Sequence, residues 1–100
     1  MTTTAIAEAL CRDAAALLEA YRAGAWVPAP EEHDLAQVLA RGRWDVGFFR
    51  AVLRDVTPAV RSGRLIGVLE PAAEVWDQAT IDEDALLQLR VLVDALTVAP

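Results

Sequence analysis

Residues 80–97 read TIDEDALLQLRVLVDALT. Thr80 and Glu83 stand three apart, the spacing of a capping box, and Asp82, Glu83 and Asp84 crowd the first turn, where the positive end of a helix dipole favours negative charge. The spacing predicts a helix from Ile81 to about Thr97. Its polar stripe is narrow: Glu83, Arg90, Asp94 and Thr97. Leu86, Leu87, Leu89, Val91, Leu92, Val93 and Leu96 spread over most of the remaining circumference. A helix this apolar either lies at the centre of a bundle or is covered by another chain.

A second amphipathic helix is expected at the other end of the chain, from Thr4 to Ala23. There Ile6, Leu10, Ala14, Leu17 and Tyr21 form one stripe, widened by Cys11 and Leu18, and Gly24 supplies the stop. The two prolines of GAWVPAP (24–30) make a loop, with Trp26 and Val27 folding back over the core. Pro30 suits the first position of a helix carrying Leu35, Val38 and Leu39 and ending at Gly42. Asp45 is placed to cap a third helix, and Trp44 and Phe49 have the spacing of a hydrophobic staple. On that helix Phe49, Val52, Leu53 and Val56 are expected to face the core.

Thr57-Pro58 restarts the chain as a short helix that weakens at Ser62-Gly63, and Pro71 opens another that contains Val75 and Trp76. The run from Arg64 to Leu69 is too short for its period to separate helix from strand. The fold expected is all-α: a compact bundle of four to five helices forming a single domain over residues 1–100. Helix one, helix three and the last helix would make its core, with Trp26, Trp44 and Trp76 closing the ends.

Composition narrows the functional classes. No run approaches the length of apolar chain that a membrane span needs, and the N-terminus lacks the pattern of a signal peptide. Cys11 is the single cysteine, which fits a reducing compartment, so the expectation is cytoplasmic. All nine basic residues are Arg and none is Lys, a codon-usage bias that hints at a bacterial source.

Catalytic chemistry is thinly supplied. One His (His33), one Cys (Cys11) and one Ser (Ser62) leave little for nucleophilic catalysis, since Cys11 lies on an apolar stripe and His33 near an exposed helix start. Two Cys or His ligands fall short of a structural zinc site. Glu31, Glu32, His33 and Asp34 are consecutive, so helical geometry splays them about 100° apart, and they read as a charged first turn. Glu70, Glu74 and Asp77 would share one helical face beside Trp76, as a solvated acidic face or a pair of catalytic carboxylates. The glycines have neither dinucleotide nor P-loop spacing. No cofactor, metal or catalytic residue is assigned, and an enzyme is not expected.

Charge segregation is the most informative pattern. Residues 1–40 hold two Arg against six acids, residues 41–64 six Arg against two acids, and residues 65–100 one Arg against seven acids. The basic middle comprises Arg41, Arg43, Arg50, Arg54, Arg61 and Arg64. It has three readings: contact with the acidic segments of its own chain, contact with another protein or copy, or a grip on nucleic-acid phosphates in which helices two and three act as a helix-turn-helix. A net charge of −6 opposes the last. The leading expectation is therefore a non-enzymatic protein–protein interaction module, an adaptor, accessory subunit or assembly factor. It would self-associate through the C-terminal helix, using those arginines together with Leu86, Leu89, Val93 and Leu96. A nucleic-acid-binding regulator is the alternative.

Overall fold

The computed structural model describes residues 3–77 and 83–97. They form six helices: α1 (Thr3–Arg22), α2 (Pro30–Arg41), α3 (Val46–Arg54), α4 (Pro58–Arg61), α5 (Ile66–Asp77) and α6 (Glu83–Thr97). The described residues contain no strand. The fold is thus all-α, and the described residues hold six helices where four or five were expected.

Local chemistry sets most of the boundaries. After α1, Gly24 adopts φ +75°, a left-handed conformation that costs glycine little. The Ala25 N–H reaches the Ala20 carbonyl at 2.9 Å and the Gly24 N–H the Tyr21 carbonyl at 3.2 Å, the paired bonds of a Schellman ending. Asp45 caps α3 by accepting the Phe48 N–H at 2.8 Å, and Thr57 caps α4 by accepting the Val60 N–H at 3.4 Å. The Trp44 and Phe49 rings meet edge to face, centroids 6.0 Å apart, as the staple spacing implied. Residues 80–82 of the capping box before α6 lie outside the described residues.

α6 is the central element. It packs on α1 and α2, while α5 packs on α1 and α3, and α4 closes against α2. The core expected from helices one, three and six includes them all, with Phe49 and Leu53 of α3 buried, but it is wider: α2 covers the second side of α6, and α3 rests on α5. Ala85, Leu89, Leu92, Val93 and Leu96 fill the inner face of α6 and meet Leu10, Ala14 and Leu17 of α1 and Leu35, Ala36 and Leu39 of α2 in one core. Full burial of one Leu or Val is worth about 1.5–3 kcal/mol, so this face alone contributes a large share of the stabilisation.

Two further expectations are corrected. Val27 is 80% exposed, and Pro28 joins Trp26 in the interior instead. α5 begins at Ile66, five residues before Pro71, and runs through that proline. Leu65, Ile66, Val68, Leu69, Ala72 and Ala73 are all buried, and that continuous inward face outweighs the one backbone hydrogen bond that Pro71 cannot donate. The ambiguous run from Arg64 to Leu69 is therefore the lead-in and first turn of a helix.

The cap for α5 comes from outside its own segment. Glu32, only 3% exposed, accepts the Ala29 N–H at 2.9 Å through Oε1 and the Leu65 N–H at 3.1 Å through Oε2. Ala29 precedes α2 and Leu65 precedes α5, so one carboxylate sits at the positive ends of two helices. Gly63 makes room for it: a Cβ there would lie 2.4 Å from Glu32 Oε2.

Candidate functional site

The α6 surface divides sharply. Leu89, Val93 and Leu96, expected to bind a partner, are 0%, 0% and 1% exposed. Because α1 and α2 both cover the inner face of α6, these three side chains are spent on the chain's own core, which corrects their assignment. Leu86 is half-buried, and Leu87 and Val91 are exposed at 59% and 37%. Leu87 and Val91 are one turn apart and share the outer face of the helix.

Beside them stands Trp44. Its place is set by the Asp45 cap and by aromatic packing, with its ring 5.4 Å from that of Trp76 and 6.0 Å from that of Phe49. The Arg90 guanidinium lies 4.9 Å from the Trp44 ring centroid and donates to Asp94 Oδ2 at 3.2 Å, so it is held from two sides. Trp44, Leu86, Leu87 and Arg90 together line an open, predominantly apolar depression of about 320 Å³. The tryptophans do not each close an end of the bundle: Trp44 and Trp76 share this aromatic cluster with Phe49, while Trp26 packs edge-on to Tyr21.

Five of the six arginines of the middle segment stand beside acids of the same chain. Arg43 pairs with Asp45 at 3.4 Å and Arg61 with Glu70 at 3.4 Å, all four side chains well exposed. Arg50 and Arg54 line an open groove between α3 and α5 with Glu70 and Glu74. Arg64 shares a different depression with Asp13. Arg41 is exposed at the end of α2. Exposed ion pairs of this kind are worth about 0–1 kcal/mol each, so they shape the surface charge more than they stabilise the fold.

The consecutive Glu31–Asp34 cluster disperses, as helical geometry requires, but it is not a uniformly solvated turn. Glu32 turns inward as described. His33 is half-buried, its Nδ1 donating to the Leu96 carbonyl at 3.0 Å near the end of α6, with its ring 6.5 Å from that of Tyr21. Cys11 is half-buried and packs against the core. Glu70 and Glu74 are exposed and face the arginines of α3, whereas Trp76, expected beside them, packs on Trp44 and Phe49. Among the described residues, no group of three or more His, Cys, Asp or Glu side chains is placed to hold a metal ion.

One concavity was not visible in the sequence. Leu35 and Val38 of α2, Val52 and Val56 from α3 and its end, and Val60 of α4 line an apolar groove of about 220 Å³. Glu31, Asp34 and Asp55 stand along its rim. Val38 reads as a core position by period, yet it is 47% exposed here. The signal that could have located the groove is the excess of valines along α2–α4 over the positions those short helices need for a core.

No helix among the described residues is long and apolar enough to cross a membrane. No protein-family model, curated protein or solved structure matches this chain.

Proposed function

We propose that this chain is a non-enzymatic protein–protein interaction module, and that the outer face of α6 beside Trp44 is where it joins a second copy of itself. The observation that carries this reading is the apolar surplus on α6. Five inward residues, Ala85, Leu89, Leu92, Val93 and Leu96, already complete the core, and Leu87 and Val91 still project outward next to the apolar Trp44 depression. Isolated exposed leucines are ordinary on protein surfaces; an apolar strip continuous with a tryptophan is a better candidate for contact. A domain of 100 residues also gains stability by sharing such a surface. The lone cysteine favours a reducing, cytoplasmic setting.

The nucleic-acid reading draws on the four-residue connection between α2 and α3 and on Arg41, Arg43, Arg50 and Arg54. Glu70 and Glu74 share a groove with Arg50 and Arg54 and would repel phosphates brought to it. That placement favours the protein-binding reading.

The test is Leu87→Glu, alone and with Val91→Glu, examined by sedimentation and by thermal unfolding. Both sites are exposed, so the unfolding temperature should hold while self-association weakens by about tenfold or more. Association unchanged in the double variant would refute the α6 face.

A further inference from the structure

We infer that the α2–α3–α4 groove receives a basic, aliphatic segment of a different protein, with one branched side chain among the valines and an arginine or lysine against the acids on each wall. The groove shares no lining residue with the α6–Trp44 depression, so this contact is independent of self-association.

The floor is apolar and open. Val38 is 47% exposed, and Val52 and Val56 are half-buried, so three valines remain within reach of solvent where α2, α3 and α4 meet. At about 220 Å³ the recess is below the range typical of small-molecule sites, roughly 300–1,000 Å³, and suits a branched aliphatic side chain. An amphipathic segment laid into a groove is a recurring mode of peptide recognition.

The rim sets the charge of the occupant. Exposed Glu31 and Asp34 stand on the α2 wall and exposed Asp55 on the α3 side. Other acids are matched within the chain: Asp45 holds Arg43, Glu70 holds Arg61 and Asp94 holds Arg90. Among the described residues, Glu31, Asp34 and Asp55 have no such partner. Glu31 and Asp34 are three apart on one helical face, where like charges repel. Asp55 is the C-cap of α3, the end at which a helix dipole disfavours negative charge. A cation on each wall relieves both, and a net charge of −6 draws a basic segment in from a distance. Arg43 and Arg90, the arginines beside this chain's own outward apolar strip, are already engaged, which points to a different protein and not to a second copy.

The probes are three short alanine-based peptides titrated into the full chain and followed by methyl NMR. One carries a leucine with an arginine three residues to either side, the second has glutamates for the arginines, and the third has alanine for the leucine. The arginine–leucine peptide should shift the methyl signals of Val38, Val52 and Val56, less so as salt is raised, and the other two should leave them in place. Asp34→Arg/Asp55→Arg should weaken its binding by about tenfold or more. Val38→Glu adds negative charge but spoils the apolar floor, and should weaken it by about as much. All three positions are exposed, so both variants should fold. Leu87→Glu/Val91→Glu should bind the peptide as the wild type does.

Valine signals that stay in place at millimolar peptide overturn the inference, as does equal binding of the glutamate peptide or undiminished binding by the charge-reversed pair. Undiminished binding by Val38→Glu overturns it too, because the attraction is then diffuse charge alone. If the valine signals instead move with the protein's own concentration, the occupant is a second copy: the inference falls and self-association stands.

Discussion

Replacing Glu32 by Ala removes the acceptor shared by the ends of α2 and α5. Two N–H groups lose their partner, those of Ala29 at 2.9 Å and Leu65 at 3.1 Å, and Leu65 is fully buried where water cannot substitute. A hydrogen bond to a charged group is worth about 1.5–3 kcal/mol net, and an orphaned buried donor costs about 1–3 kcal/mol. Against this stands relief from burying a carboxylate, which is itself costly. The balance is a loss of about 2–4 kcal/mol, a large part of the 5–15 kcal/mol typical of a domain, and a fall in unfolding temperature of about 10–25 °C. Glu32→Gln keeps one oxygen and should lose about half as much.

Urea unfolding followed by circular dichroism measures both. A Gly63→Ala variant supplies an internal control, because the added Cβ would sit 2.4 Å from Oε2 and displace the same carboxylate. It should cost about 1–3 kcal/mol in the wild type and distinctly less when Glu32 is already Ala. A Glu32→Ala loss below about 0.5 kcal/mol, or strictly additive effects of the two substitutions, would refute the shared cap.

Other substitutions test the remaining joints. A Cβ on Gly42 would lie 2.2 Å from two carbons of the Phe48 ring, so Gly42→Ala should destabilise by about 1–3 kcal/mol and alter the near-ultraviolet signal of the Trp44 cluster. Gly24 has open space around its missing Cβ and only its φ of +75° to defend, so Gly24→Ala should cost about 1–2 kcal/mol, measurable by the same unfolding series. Asp45→Ala removes the cap bond to Phe48 and should cost about 1 kcal/mol, with Trp44 fluorescence shifting because its neighbour no longer anchors the turn.

What the sequence made legible is what neighbouring residues decide among themselves. The Gly24 ending, the Asp45 and Thr57 caps, the Pro30 and Pro58 starts and the Trp44–Phe49 staple each depend on residues a few positions apart, and they stand in the structure as the spacing implies. The start of α5 was hidden because its cap, Glu32, lies 33 residues earlier, and because Pro71 reads as a beginning where it is an interior residue. Glu32 looked like one more acid in a charged turn for the same reason: the Leu65 N–H that draws it inward is remote in the chain.

At the candidate site the broad apolar character of α6 was evident, but its division was not. Periodicity cannot say that α1 and α2 both press on the helix and consume Leu89, Val93 and Leu96, leaving Leu87 and Val91 outside. The segregation of arginines was equally plain, yet the Arg61–Glu70 pair and the apposition of Arg50 and Arg54 to Glu70 and Glu74 depend on how α5 meets α4 and α3. The acid-rimmed groove is assembled from three separate helices, so the surplus valines that hint at it do not say where it forms.

The outer face of α6 as a contact surface is tested most directly by sedimentation velocity of the wild-type protein across a micromolar to high-micromolar series. The weight-average mass should climb above 10.8 kDa with concentration and return to that value in the Leu87→Glu/Val91→Glu variant. A single species of 10.8 kDa throughout the wild-type series would contradict it.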